Sequence, residues 1–267
     1  MGQRETTKLT NVPPLDEARP PFSDDYSAMY HLRLTLPTPV ENVALDEALL
    51  EACEAGQLTG GVLRLWESPD YFVVLGRSSD PKVEVDLDAC RREGVPVLRR
   101  ASGGGTVLAG PGCLMYAVVL NLQDLPHLRA VDAAHKYVLE KVASALAPQV
   151  PEIAHAGISD LVLSATDSPA RKVSGNALRI KRDHFLYHGT LLYDFDLERI
   201  GRLLATPTRI PEYRDRRSHN EFVANLPLSR NDLESAILSE WNTNYPLSDW
   251  PQEKTAELAA TRYELID

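Results

Sequence analysis

The runs LVL (161–163), RKVSGNALRI (171–180) and FLYHGTLLYDF (185–195) follow one another as three strand-like segments. Apolar and polar positions alternate through Val173 and Ala177, and Gly175 allows close approach of another backbone or a ligand. Working outward, strand and helix signals mix hairpins with helices and do not repeat a β-α-β unit. Asn42 is the predicted N-cap of a helix through Val43-Ala-Leu-Asp-Glu-Ala-Leu-Leu50, with Gly56 as its stop and Leu45, Ala48, Leu49 and Ala52 on one face. Val62–Trp66 and Tyr71–Leu75 read as strands around the turn Ser68-Pro69-Asp70. Val85–Arg92 reads as a short helix, and Val95–Arg99 and Leu114–Leu120 as strands. Val131, Ala134, Val138, Val142 and Leu146 make one helical stripe that Pro148 closes. After Pro227, Ser229 caps a helix through Trp241, and a weaker helix runs from Glu253 to Leu265. This order predicts an α+β fold with a mainly antiparallel or mixed sheet and flanking helices.

The chain has 267 residues, enough for a sizeable core. Residues 1–28, rich in Pro, Thr, Asp and Arg, read as a disordered tail. A main domain is expected over 29–227 and a short helical appendage over 228–267, with no full accessory domain. The net charge of −10 argues against a nucleic-acid binder, which needs a basic face. No apolar run is long enough to span a bilayer. Cys53, Cys90 and Cys113 form no CxxC pair, so neither a disulfide framework nor a zinc knuckle is indicated, and a reducing, cytoplasmic compartment fits.

Three places carry candidate chemistry. Arg99-Arg-Ala-Ser-Gly-Gly-Gly-Thr-Val107 follows a predicted strand, and its bare backbone can close amide N–H groups on an anion beside arginines suited to phosphate or carboxylate. It reads equally as a flexible hairpin turn, and it is neither a Walker A loop nor a G-x-G-x-x-G fingerprint. Lys172 can serve as a point charge on phosphate, although taken alone it reads as an edge-strand lysine in water. His188, before Gly189 in an apolar strand, can shape a site or sit half-buried and hydrogen-bonded.

Together the three segments resemble the lipoate-protein ligase A family of the biotin/lipoate ligase superfamily. Arg-Arg-x-Ser-Gly-Gly-Gly (99–105), Lys-x-Ser-Gly-x-Ala (172–177) and His-Gly-Thr-Leu-Leu (188–192) stand in the family's order. Asn42-Val-Ala-Leu-Asp-Glu-Ala-Leu, Gly76-Arg77, Ser159-Asp160-Leu161 (for the usual Asn-Asp-Leu) and Asn225-Leu226 extend the likeness over about 40–226. The resemblance implies a class II ligase-like catalytic domain that uses ATP and Mg²⁺ to make an acyl-adenylate of lipoate or octanoate. A lysine of a lipoyl carrier domain, of the E2-subunit or glycine cleavage H-protein type, then takes the acyl group. Carried onto this chain, Arg100, Ser102, Gly103, Gly104, Gly105, Thr106, Val107, Leu108 and Asp160 would bind ATP or the adenylate. Lys172 would stand between the acyl carbonyl and the α-phosphate, and Asp160 could help place Mg²⁺. Arg77, Gly175 and His188 would border the pocket.

The likeness has departures. Cys113 stands where ligases often have asparagine, and a separate accessory subunit is one way to replace the missing accessory domain. The rival within the superfamily is an ATP-independent octanoyl or lipoyl transferase, whose nucleophilic cysteine precedes the Lys-x-Ser-Gly segment. Residues 155–160 contain none, which leaves Cys113, near the glycine loop, as the thiol under suspicion. A biotin ligase would carry Gly-Arg-Gly-Arg, absent here, and a non-catalytic acyl or nucleotide binder is the remaining alternative. The basic stretch Arg209, Arg214, Arg216 and Arg217 reads as a solvated loop or as a surface steering an acidic carrier.

Overall fold

The two longest strand-like runs pair as a hairpin. β9 (Arg171–Ile180) and β10 (His184–Leu192) run antiparallel, with His188 opposite Ala177 and Phe185 opposite Ile180. The computed structural model describes residues 28–165, 168–205, 212–215, 217–243, 245–263 and 265–266. The expected tail, except Ala28, lies outside the described residues, as do Arg209 and Arg216.

The elements before the hairpin are β1 (Met29–Arg33), α1 (Pro39–Glu54), β2 (Gly61–Trp66), β3 (Phe72–Leu75), α2 (Pro81–Glu84), α3 (Leu87–Glu93), β4 (Val97–Arg99), β5 (Val107–Ala109) and β6 (Cys113–Asn121). α4 (Val131–Leu146), β7 (Ile153–Ala156) and β8 (Asp160–Leu163) lead into β9. α5 (Glu198–Leu203), α6 (His219–Phe222), α7 (Arg230–Glu240), β11 (Tyr245–Pro246) and α8 (Gln252–Thr261) follow β10. Eight strands form one sheet in the order β11-β1-β2-β6-β10-β9-β8-β7. The β11/β1 and β1/β2 pairs are parallel and the other pairs antiparallel. A second sheet has β3 between β4 (parallel) and β5 (antiparallel). The α+β class and mixed, mainly antiparallel pairing stand as expected.

Strand alternation divides the core. Leu114, Tyr116, Val118 and Leu120 of β6 join Ala134, Val138, Val142 and Leu146 of α4 and Leu233 and Ile237 of α7 in one cluster. Cys113 and Met115 point the other way, toward β3, β4 and β5. Full burial of each such aliphatic side chain contributes roughly 1.5–3 kcal/mol. The α4 stripe is buried as predicted, except that Val131, at its first turn, is exposed. The strands around Ser68-Pro69-Asp70 exist but do not pair: β2 belongs to the large sheet and β3 to the small one.

α1 begins four residues earlier than predicted. Thr38 is its N-cap, in a capping box with Glu41 and with Pro39 in the first turn. Asn42 bonds back to the Leu36 N–H and to the carbonyls of Leu36 and Thr38, so its side chain braces the entry to the helix. The helix is also not one-faced, because every residue from Asn42 to Leu50 is buried. Residues after 227 cover part of this surface: α8 packs on α1, α7 packs on α4, and β11 extends the sheet beside β1. Among the described residues no helix is long and apolar enough to cross a membrane.

Candidate active site

The three motifs meet at the end of the β9–β10 hairpin. In a regular strand Lys172 and Gly175 would face opposite sides. A register shift between Leu161 and Val162 of β8 leaves Val173 as an extra residue in β9, and Lys172 and Gly175 come to line the same cavities. Lys172 Nζ is 2.7 Å from Asp160 Oδ1, and Asp160 Oδ2 accepts from the Tyr213 hydroxyl at 2.7 Å. Burial first, then the Asp160 charge, pushes the Tyr213 phenol well above its ordinary value, so it stays a donor.

The glycine loop is held from within. Arg100 is 7% exposed, and its Nη2 donates to the carbonyls of Gly103 (2.6 Å) and Gly105 (2.9 Å). Its Nη1 donates to Val74 O at 3.2 Å and its Nε to Ser102 Oγ at 2.9 Å. Burial pulls this guanidinium down to about 10, with Glu84 opposing. Arg99 donates to the carbonyls of Gly76, Arg77 and Ser79, tying the loop's neighbour down. Gly104 has φ 86°, and a Cβ on Gly76 would stand 1.9 Å from the Gly104 carbonyl oxygen, so both positions need glycine. The Arg77 side chain is exposed at the rim of the cleft described next.

Three cavities converge here. A pocket of about 120 Å³ is lined by Val43, Trp66, Val74, Met115, Ala177 and Gly189 and by the polar groups of Asp46, Arg100, Asn176 and His188. A second, also about 120 Å³, lies against Val107 and Leu108 of β5, with Ile200, Leu204, Arg214 and His219. A wide cleft of about 1090 Å³ opens from the glycine loop past Ile158 and Arg179. Lys172 and Thr106 line all three. Leu108 lies only on the second pocket, and Ser102 and Gly103 only on the cleft.

Arg214 and Arg217 do not sit in a solvated loop. Arg217 donates to the carbonyls of Ala170, Tyr213 and Arg214. Arg214 is 2% exposed and its Nη2 has no hydrogen-bond partner among the described residues, an uncommon state for a buried donor. His219 is held down to about 4 by burial, then by the charges of Arg214 and Lys172.

The sequence reading missed Asp46, Arg64 and Tyr213. Arg64 is fully buried and binds Asp46 Oδ1 (2.6 Å), the Asn42 carbonyl and side chain, and Leu34 O. Its signal was a charge inside an otherwise apolar strand, facing a helix with Asn42 and Asp46 one turn apart. None of the three thiols faces these cavities. Cys113 and Cys53 are buried, the first pushed well up and the second to about 12, both chiefly by burial; Cys90 is raised for the same reason.

Residues 38–236 match the family model described as the lipoyl protein ligase A/B catalytic domain. An Aeropyrum pernix protein provisionally named a lipoate-protein ligase A is 37% identical over 175 residues, 65% of this chain and 61% of that one. The chain spans about half the length of the curated relatives it matches. Among solved structures, a bi-partite lipoate protein ligase of Thermoplasma acidophilum, studied with its E2 lipoyl domain, has a TM-score of 0.69 at 22% identity, covering 87% of this chain and 93% of that one. A lipoate-protein ligase A bound with ATP has a TM-score of 0.69 at 21% identity, covering 88% and 94%. At these identities the likeness is one of fold.

Proposed function

The chain belongs to the lipoyl protein ligase A/B catalytic domain family, and from that premise we propose that it uses ATP to join lipoate, or octanoate, to a lysine of a lipoyl carrier domain. One observation carries the reading: the Lys172 ammonium stands where an apolar pocket, a second pocket on β5 and an open cleft meet. The first suits an acyl chain, the second a nucleotide base beside the β5 backbone, and the cleft, bordered by the glycine loop, admits the phosphates and the acceptor lysine.

The reaction needs two displacements. A carboxylate oxygen of the acid attacks the α-phosphorus of ATP, and the bond to pyrophosphate breaks. The neutral acceptor amine then attacks the acyl carbonyl carbon; the bond to AMP breaks, an amide forms and a proton is released. Both steps concentrate negative charge at the junction, where Lys172 acts more strongly on the transition state than on the ground state. Arg214, which borders the β5 pocket and the cleft, adds a second positive charge near the phosphates. Arg100 acts chiefly through the loop, because four of its five N–H groups already hold Ser102 and the carbonyls of Val74, Gly103 and Gly105.

Mg²⁺ carried by phosphates needs only one or two protein carboxylates. Asp160, which lines both the acyl pocket and the cleft, fits that requirement and would hold the ion, whose chemistry is to neutralise phosphate charge. The carrier would be of the E2 or H-protein type and the compartment cytoplasmic. The buried thiols, all raised in pKa, speak against the transferase alternative, which needs a thiolate. ATP–pyrophosphate exchange with the purified chain tests the proposal, run with lipoate, octanoate and biotin in turn. Exchange with the first two and not the third is expected; no exchange with any acid refutes self-sufficient adenylation.

A further inference from the structure

Behind the acyl pocket runs a line of polar groups that the proposed chemistry does not itself use. Arg64 Nη1 donates to Asp46 Oδ1 at 2.6 Å, and Asp46 Oδ2 lies 3.3 Å from His188 Nδ1. His188 Nε2 lies 2.6 Å from Ser102 Oγ, which accepts from Arg100 Nε at 2.9 Å. Guanidinium groups only donate and a carboxylate only accepts. With a neutral imidazole the protons then have one arrangement: Nδ1 donates to Asp46, and the Ser102 hydroxyl donates to Nε2. Arg64, Ser102, Asp46 and Arg100 are all 7% exposed or less, so water reaches the line only at His188, whose side chain is 11% exposed on the pocket.

The line joins two places with different tasks. Asp46 and His188 line the acyl pocket, whereas Ser102 belongs to the glycine loop, whose Gly103 and Gly105 carbonyls Arg100 holds. We infer that His188 is a positioning residue that couples the two substrate sites: acid in the pocket fixes the imidazole, and the imidazole, through Ser102 and Arg100, fixes the loop that receives nucleotide. This rests on the ligase reading. Linkage makes the coupling reciprocal, so bound nucleotide raises affinity for the acid by the same factor. Cutting one connection should remove the coupling while leaving both sites able to bind.

Calorimetry on the full chain measures this directly, titrating lipoate with and without α,β-methylene-ATP. The unaltered chain should bind lipoate tighter with nucleotide present, by a factor on the order of ten. In Ser102→Ala lipoate still binds and nucleotide binds more weakly, since Ser102 borders the cleft, but the distinguishing result is that the factor falls toward one. His188→Asn keeps an N–H near where Nδ1 faces Asp46 and loses the acceptor facing Ser102, so it should lose the coupling equally. The double variant should be no worse than either single, since both cut the same connection. A merely structural role would weaken both ligands and leave the factor intact. A factor near one in the unaltered chain, a factor retained in Ser102→Ala, or additive losses in the double variant each overturn the inference while lipoate and nucleotide still bind. Failure of the unaltered chain to bind either ligand overturns the ligase reading and the inference with it.

Discussion

Alanine placed at each glycine of 103–105 in turn should separate loop stability from nucleotide affinity. Only Gly104 is in the left-handed region, at φ 86°, where an L side chain is disfavoured by roughly 1–2 kcal/mol. Its Cβ would also stand 2.9 Å from Arg100 Nη2, disturbing donations to two carbonyls. Partial loss of these charge-assisted bonds adds about 1–2 kcal/mol. The sum for Gly104→Ala, about 2–4 kcal/mol, corresponds to a drop in Tm of roughly 5–15 °C for a chain of this size. At Gly103 and Gly105 a Cβ meets nothing within 4 Å, so Gly103→Ala and Gly105→Ala should stay within about 0.5 kcal/mol of the parent. If their backbone receives phosphate, the added methyl should still weaken ATP binding roughly ten-fold, as a misplaced contact worth about 1.4 kcal/mol does. Thermal melts and ATP calorimetry on the same samples read both effects. Gly104→Ala melting with the parent, or Gly105→Ala melting as low as Gly104→Ala, would refute the account of how the loop is held.

Lys172→Met should lower ATP–pyrophosphate exchange about 10²–10³-fold, with Lys172→Arg a partial rescue because its planar fork fits a point-charge site poorly; near-normal exchange in the Met variant removes Lys172 from the chemistry. A Cys53→Ala, Cys90→Ala, Cys113→Ala variant should still attach lipoate with ATP, at about 1 kcal/mol of stability per site; loss of transfer in the folded variant, with an acyl adduct on the parent by mass spectrometry, would reverse the ligase reading. His219 stands at about 4 in the folded chain against an ordinary 6.5, so the unfolded chain binds a proton between those values that the folded chain does not. The stability this provides is present above pH 6.5 and is lost as the pH falls toward 4, and His219→Asn should flatten that slope in urea melts across the range.

The helix of 131–146 was legible because its stripe repeats at helical spacing, and Ser229 because its hydroxyl accepts from the Asp232 N–H as an N-cap should. The start of α1 was not, because Asn42 has an N-cap's chemistry but uses it on Leu36 and Arg64, while Thr38 and Glu41 form the box. Local pattern also could not tell that β2 and β3 part into separate sheets, since each is buried at every position and shows no alternation that would assign it a face. At the site, the glycine loop, Lys172, Asp160 and His188 were visible as short motifs. Asp46, Arg64 and Tyr213 were not, because each matters through a partner 18 to 142 residues away. The bulge that brings Lys172 and Gly175 to one side depends on pairing with β8 and leaves no mark in the residues of β9 alone.

The contacts around α1 set a timetable for the growing chain. The Glu47 carboxylate, 1% exposed, is met by Arg179, Arg262 and Tyr263, two of them more than 200 residues downstream. β1 likewise waits for Tyr245 and Pro246 to cover its outer edge. At ribosomal rates of about 5–20 residues per second, roughly 10–40 s separate synthesis of α1 from that of its last partners. Through that interval a buried-to-be acid and an open strand edge face solvent together. Slower translation or a shortage of holding chaperones should therefore reduce the yield of folded chain more than its measured equilibrium stability suggests.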